Sequence, residues 1–140
     1  MTTPTSTRIG RVVRAGASYP GKQGPNYTPG VSAGTVGSCA LWLGTVTLPP
    51  AGGRTKAHVH EGHESAFYFL SGEDVELWTG DRLEHRDLAQ AGDYLYIPPG
   101  VPHVAVNRSP TRPAVFIGAR TDPHEQESVV MRSDLDAHVP

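Results

Sequence analysis

The sequence predicts an all-β protein, because many short apolar segments alternate with residues that favour turns. The 140 residues include 16 glycines and 13 prolines, and these are spread along most of the chain. The apolar segments recur at intervals of roughly eight to twelve residues, and no segment has the periodicity of an amphipathic helix. This pattern is typical of a β-sandwich or a β-barrel.

The predicted strands follow one another from residue 41 to residue 119. We expect them at residues 41–48, 56–60, 65–70, 75–78, 83–89, 94–97, 101–106 and 114–119, with a further short segment at 128–131. The run at 65–70 is apolar almost throughout, which predicts a strand buried on both faces. The segment at 83–89 is mostly charged and predicts an exposed strand.

Length and composition indicate one compact domain with an extension at each end. Residues 1–38 contain four prolines and seven glycines, and only residues 9–13 resemble a strand. We interpret residues 1–38 as an N-terminal arm that lies on the barrel or is exchanged with a partner subunit. Residues 39–120 form the predicted barrel, and residues 121–140, with five acidic residues and one arginine, are interpreted as an acidic C-terminal tail.

Charge and composition argue against several classes of partner. The net charge is −2, and the basic residues of the first half are scattered without interleaved aromatic residues, so we expect no nucleic-acid binding. No stretch approaches the roughly 20 apolar residues that a membrane span requires, and the first residues do not resemble a secretory signal. Cys39 is the single cysteine, which excludes a disulfide within the chain. We therefore expect a cytoplasmic protein.

Three histidines and a glutamate form a candidate metal site. His58 and His60 are two residues apart, so both imidazoles lie on one face of a strand. Glu64 follows after a short loop, and His103 comes after the proline-rich turn at 98–102. Imidazole and carboxylate ligands together suit Fe, Mn, Zn, Ni or Cu. A single histidine is more often a surface or hydrogen-bonded residue, so the interpretation depends on the wider pattern.

The wider pattern resembles the two motifs of the cupin family. The first motif is Gly, five residues, His-x-His, three or four residues, Glu, six residues, Gly, and it corresponds here to Gly52, His58, His60, Glu64 and Gly72. The second motif is Gly, five residues, Pro-x-Gly, two residues, His, three residues, Asn, and it corresponds to Gly92, Pro98, Gly100, His103 and Asn107. The resemblance covers about residues 41–119 and is strongest to small single-domain cupins. It implies a double-stranded β-helix, or jelly-roll barrel, that holds one divalent transition metal on His58, His60, Glu64 and His103.

Glu64 departs from the first motif by one position. Seven residues separate it from Gly72 where the family has six, so that counting back from Gly72 leads to Ser65. A shift of one residue along a strand turns a side chain to the opposite face. We favour a bulge that returns Glu64 to the interior. The alternatives are that His63 swings inward, or that Glu64 faces away and leaves a three-histidine set, with Ser65 as a weak ligand or as a hydrogen-bond partner of the neighbouring strand.

The resemblance implies a metal-dependent enzyme that acts on a small organic molecule. An oxygenase of dioxygenase type, with Fe(II) or Mn(II), is its most concrete form. Isomerase, cyclase or lyase chemistry and small-molecule binding without turnover are the alternatives, because the fold alone does not choose among them. A purely structural role is disfavoured, because it gives no reason to assemble an intact histidine set. The resemblance also implies a homodimer formed through sheet edges or exchanged N-terminal strands.

The remaining distinctive residues have simpler interpretations. Five aromatic residues are expected to lie mainly in the core rather than in a substrate cavity, and they are Trp42, Tyr68, Trp78, Tyr94 and Tyr96. Cys39 is expected to be a buried thiol. The histidines at positions 85, 124 and 138 are expected to be exposed.

Overall fold

The computed structural model describes residues 9–125 and 129–140, which form two antiparallel β-sheets. The strands are β1 (Tyr19–Pro20), β2 (Asn26–Val31), β3 (Trp42–Leu48), β4 (His58–His60), β5 (Ser65–Ser71), β6 (Val75–Thr79), β7 (His85–Ala89), β8 (Tyr94–Ile97), β9 (His103–Asn107), β10 (Ala114–Arg120) and β11 (Val129–Met131). A one-turn helix, α1 (Ala33–Val36), and a 3₁₀ helix (Ser133–His138) complete the described elements. The predicted all-β class is confirmed.

The two sheets interleave along the chain as in a double-stranded β-helix. One sheet has the strand order β1-β2-β3-β10-β5-β8, and the other has the order β11-β4-β9-β6-β7. From β3 onward nearly every connection crosses from one sheet to the other, and the exception is the β6–β7 hairpin. Sequence neighbours therefore lie in opposite sheets, whereas strands far apart in sequence become hydrogen-bonded partners.

The main core lies between the two sheets. Side chains alternate in burial along β3 and β10, so the even-numbered residues of both strands point inward. The buried apolar residues of this core are Tyr27, Trp42, Val46, Leu48, Phe69, Val75, Leu77, Leu95, Ile97, Ala114 and Phe116. Both sheets contribute to the core, which fixes the distance between them and leaves a narrow interior.

A second apolar cluster lies on the other face of the five-stranded sheet. His103 and Ala105 of β9 point into the space between the sheets, whereas Val104 and Val106 point to the other face. There they pack against Leu83 and the C-terminal 3₁₀ helix. Leu135 and Val139 of the C-terminal segment are 5% and 4% exposed. The predicted tail, 121–140, therefore includes residues that cover this face of the sheet. A short strand was predicted at 128–131; Val129–Met131 form β11, and Ser128 lies outside the described residues.

The outer face of the six-stranded sheet is exposed, and this overturns two expectations. The strand at 65–70 was predicted to be buried on both faces, but β5 alternates, and Leu70 is 49% exposed. Tyr94 and Tyr96 were predicted to be core residues, but they are 81% and 56% exposed. In both cases the apolar side chains lie on a face that no described residue covers, and hydropathy does not distinguish the two faces.

Two expectations for the N-terminal region are also wrong. Residues 9–13 do not form a strand, whereas β1 and β2 do. β1 is an edge strand of the six-stranded sheet, and β2 lies between β1 and β3. β2 was not predicted because it contains Pro29 and Gly30, and both residue types are unusual in strands. Cys39 is exposed rather than buried. The exposed strand predicted at 83–89 is confirmed in part: β7 covers His85–Ala89 and is exposed over most of its length, whereas Leu83 is buried outside the strand.

We expect Leu135→Ala to lower the free energy of unfolding by about 2–5 kcal/mol, because it removes buried contacts between the C-terminal segment and the sheet. Leu88→Ala is the matched control, because Leu88 is 70% exposed and surface substitutions change stability by about 0.5 kcal/mol or less. Urea unfolding of both variants measures the difference. Equal stability of the two variants would show that the C-terminal segment does not pack as described.

Candidate metal centre

The three histidines of the predicted site converge on the inner face of the five-stranded sheet. Strands β4 and β9 are antiparallel neighbours, and His58 lies directly opposite His103. His60 lies two residues further along β4, and the three side chains are between 2% and 5% exposed. Their potential ligand nitrogens all lie within 4.8 Å of one another. The structure thus brings together imidazoles from two segments that are distant in sequence.

Backbone carbonyl groups orient two of the three rings. His58 Nδ1 donates a hydrogen bond to the carbonyl oxygen of Lys56 at 2.7 Å, and His103 Nδ1 donates to that of Val101 at 3.0 Å. A carbonyl oxygen only accepts hydrogen bonds, so in each ring the proton of the neutral form lies on Nδ1. The lone pair is therefore on Nε2, as in most metal-ligating histidines.

Burial keeps the three imidazoles neutral. It lowers the pKa of His58 well below 6.5, and the neighbouring His103 and His60 lower it further. The pKa of His60 is lowered to about 3, mainly by burial and then by the charges of His103 and Arg120. Burial also lowers the pKa of His103 to about 4. At neutral pH all three residues are therefore uncharged and able to offer a nitrogen lone pair.

The structure does not bring Glu64 to the three histidines. Glu64 is exposed and precedes β5, where its backbone N–H donates to Thr121 Oγ1 at 3.2 Å. The favoured bulge is absent at this point, because Ser65 pairs regularly with Ile97 and with Arg120. The only irregularity in the β5–β10 pairing described here lies at Val115, near the other end of β5.

Ser65 occupies the inward position that the motif assigns to the carboxylate. It is 3% exposed and lines the same cavity as the histidines. His63, the other alternative, is half-buried, and its Nδ1 lies 4.0 Å from Asp122 Oδ2 rather than within the cluster. Among the described residues, the group that could hold a metal ion is therefore the three-histidine set.

The histidines form one wall of a cavity between the sheets. The opposite wall includes Arg120 of β10, which pairs with Trp42 of β3 on one side and with Ser65 of β5 on the other. Apolar residues enclose the rest of the cavity, and they include Val46, Leu77, Leu95, Ile97 and Phe116. The cavity volume is about 50 Å³, on a scale where one water needs about 10–15 Å³. A molecule of only a few non-hydrogen atoms fits.

A glycine keeps this cavity open. Gly118 of β10 points inward between Phe116 and Arg120, and a Cβ atom at this position would lie 2.9 Å from Phe67 Cε1. Any larger residue would displace the Phe67 ring or fill the cavity.

Sequence reasoning did not identify three polar residues of the cavity, Gln23, Thr55 and Arg120. Arg120 is the last residue of β10 and, like Ala114 and Phe116, is an even-numbered residue of that strand. The alternation of side chains along a strand could therefore have predicted that Arg120 points inward. Gln23 precedes β2 in a turn-rich segment, and no pattern indicated its position. Trp42, considered as either core or cavity residue, is both. The histidines at 85, 124 and 138 are exposed, as expected.

Two interleaved antiparallel sheets with a buried histidine cluster between them define a double-stranded β-helix protein with a candidate metal site. The chain matches the Cupin domain family over residues 44–119, which is more than half of its length. It belongs to the cupin family, and the resemblance drawn from the two motifs is confirmed.

Solved structures with the same fold cover nearly the whole chain. A conserved protein with a double-stranded β-helix domain from Klebsiella pneumoniae subsp. pneumoniae is 18% identical, with a TM-score of 0.62, and the match covers 94% of this chain and 96% of that one. Oxalate decarboxylase from Bacillus subtilis is 19% identical, with a TM-score of 0.73, over 94% of this chain and 35% of that one. A recombinant oxalate oxidase in complex with glycolate is 17% identical, with a TM-score of 0.67, over 92% and 65%.

Because all three identities are below 25%, these likenesses show the fold alone. No curated protein matches the chain. Among the described residues, no helix has both the length and the apolar character to cross a membrane.

We expect the metal-free protein to lose stability as the pH falls from about 7 to about 4. The unfolded chain takes up protons on its histidines near pH 6.5, whereas burial prevents the folded chain from doing so until the pH approaches about 3 for His60 and about 4 for His103. Each of these histidines then contributes a loss of roughly 2 kcal/mol by pH 5.

Urea unfolding at a series of pH values, after removal of metal by a chelator, measures this dependence. His103→Gln is expected to flatten the pH profile, and His85→Gln, at an exposed position, is expected to leave it unchanged. Parallel profiles for His103→Gln and the unaltered protein would contradict the assignment.

Proposed function

We propose that this cupin is a metal-dependent enzyme that acts on a small organic molecule, with an oxygenase of dioxygenase type as the first candidate. The proposal depends on one observation, the convergence of three buried, neutral imidazoles on the wall of a cavity. The potential ligand nitrogens of His58, His60 and His103 all lie within 4.8 Å of one another, and neutral imidazole is a good ligand for divalent transition metals. The three side chains could therefore bind one metal ion together.

The donor set fits a divalent transition metal. Imidazole nitrogens suit Fe, Mn, Zn, Ni and Cu, and backbone carbonyls already orient His58 and His103 with Nε2 available. Three protein ligands leave further coordination positions vacant, which is typical of catalytic rather than structural sites. When bound, the metal would supply Lewis-acid or redox chemistry to a molecule in the cavity.

The chain itself would position that molecule and exclude water from it. Leu77, Leu95, Ile97 and Phe116 present an apolar surface beside the histidines, which strengthens electrostatic interactions inside the cavity. Ser65 lies on the wall opposite β4 and β9 and carries a hydroxyl group in place of the carboxylate of the family motif. With a neutral three-histidine set, the protein ligands would leave the charge of the metal uncompensated, and an anionic molecule would bind favourably there.

The structural neighbours are compatible with this substrate class. Their names specify enzymes of oxalate, and one of them binds glycolate; both are small carboxylic acids. This supports a small molecule as the substrate, and the choice among oxygenase, isomerase, cyclase and lyase chemistry belongs to experiment because one fold supports many reactions.

We expect His60→Ala and His103→Ala each to lose most of the bound metal while the barrel remains folded, because each removes one of three ligands. Elemental analysis of protein purified without an affinity tag, then dialysed against Fe, Mn, Zn, Ni or Cu, measures the stoichiometry. The two control variants are His85→Ala and Glu64→Gln, since both positions are exposed. Full metal content in both ligand variants would refute the site, and strong loss in Glu64→Gln would restore Glu64 as a ligand.

Turnover separates an enzyme from a binding protein. We expect the metal-loaded protein to consume oxygen or to form product with one of a set of small carboxylic acids, phenols and diketones, and we expect His103→Ala to be inactive. Oxygen uptake and product analysis by mass spectrometry are the measurements. Saturable binding of a candidate molecule to the metal-loaded protein, without any turnover, would favour the non-catalytic alternative.

A further inference from the structure

We infer that the cavity binds the carboxylate end of a small monocarboxylic acid on Arg120, opposite the histidine cluster. The inference deepens the proposed function and rests on it for the claim that the bound acid is a substrate. It assigns a chemical class to the ligand and a positioning role to a residue that neither cupin motif includes.

Arg120 is placed to face the metal ligands. It is the last residue of β10, where alternation points its side chain inward, and it is 6% exposed. Its register neighbours, Trp42 and Ser65, also point into the cavity. The six-stranded sheet thus presents a cation directly across the interior from His58 and His103 of the other sheet.

Among the residues that the structure describes, the close contacts of Arg120 are with neutral groups, and the carboxylate of Asp122 acts on its charge from a greater distance. One guanidinium nitrogen, Nη2, donates to the backbone carbonyl oxygens of His124 and Glu125. The guanidinium carbon lies 4.5 Å from the centre of the Trp42 ring. No ion pair within 4 Å joins Arg120 to a carboxylate of the described residues. Its Nε is buried without a well-formed hydrogen bond, although the Tyr19 hydroxyl lies near the guanidinium group.

A buried guanidinium in this state favours an anion. An arginine remains charged even when burial lowers its pKa, as it does for Arg120. Removing that charge from water is costly unless an opposite charge compensates. The guanidinium group also matches the two oxygens of a carboxylate in geometry, so a carboxylate in the cavity would satisfy both the charge and the unused Nε donor.

Other unsatisfied polar atoms lie around the same cavity. Of the five buried side-chain atoms without a hydrogen-bond partner among the described residues, three belong to residues that line it. Besides Arg120 Nε they are Trp42 Nε1 and Gln23 Oε1, and the exposed fractions of Trp42 and Gln23 are 2% and 1%. Arg120 Nε and Trp42 Nε1 are both donors, so a carboxylate, which only accepts hydrogen bonds, could serve both of them. Gln23 Oε1 is an acceptor and lies near the Tyr27 hydroxyl instead. Because buried polar groups are nearly always paired, the two unpaired donors at one cavity indicate a ligand that accepts from them.

The limited volume restricts the acid to a small one. About 50 Å³ of cavity corresponds to roughly four water-sized volumes, which is enough for a carboxylate with one or two further atoms. Acetate is therefore a suitable probe, and acetamide is its uncharged counterpart of nearly the same shape.

The test measures acetate binding to metal-free protein by following the indole N–H signal of Trp42 in two-dimensional NMR. The variant Trp78→Phe distinguishes the two tryptophan signals. We expect acetate to shift the Trp42 signal in a saturable manner and acetamide to bind at least about tenfold more weakly. Arg120→Gln is expected to weaken acetate binding by about ten- to a hundredfold, as for a lost hydrogen bond to a charged group.

Arg112→Gln is the matched control, because Arg112 is exposed and precedes the other end of β10; acetate affinity should be unchanged in it. Equal binding of acetate and acetamide, or undiminished acetate binding in Arg120→Gln, would overturn the inference. If Arg120→Gln does not fold, the comparison of acetate with acetamide in the unaltered protein decides alone.

The metal-free measurement separates this inference from the proposed function. Arg120-dependent acetate binding in a protein that takes up no metal would support the anion site and refute the metal-dependent enzyme. Stoichiometric metal binding without any preference for acetate over acetamide would refute the anion site and support the metal-dependent enzyme.

Discussion

The candidate site depends on the pairing of β4 with β9. This contact sets His58 opposite His103, although 44 residues lie between them in the sequence. Asn107, at the end of β9, contributes to this arrangement, because its buried side chain donates to the carbonyl oxygens of Leu48 and Arg112. The second motif thus contains one candidate ligand and one residue that anchors the ligand's strand. Without this pairing, the imidazoles would belong to unrelated surfaces.

The interior between the sheets combines two opposed requirements. An apolar core holds the sheets together, yet the end of the interior near β4 and β9 contains three imidazoles and a guanidinium group. The imidazoles meet the cost of burial by remaining neutral. Arg120 keeps its charge, which two carbonyl oxygens, the Trp42 ring and the carboxylate of Asp122 stabilise. Polar atoms left unsatisfied inside an otherwise well-paired fold are expected at functional sites.

Several parts of the fold could be predicted because they depend on short-range patterns. The strands β3, β5 and β8 follow from apolar runs that end at proline or glycine. Expectations about faces were less reliable. Tyr94 and Leu70 have side chains suited to a core, but they lie on an exposed sheet face, because amino-acid type does not reveal which face of a strand another layer covers.

The amino-acid sequence alone determined the fold class and the histidine set, because strand periodicity and motif spacing are local properties that survive without knowledge of the partner strands. Only the tertiary structure decided that Ser65 rather than Glu64 faces the cavity, and that Arg120, Trp42 and Gln23 join it. Those positions depend on the register between strands that are distant in sequence, and a register that differs by one residue would reverse the direction of every side chain involved.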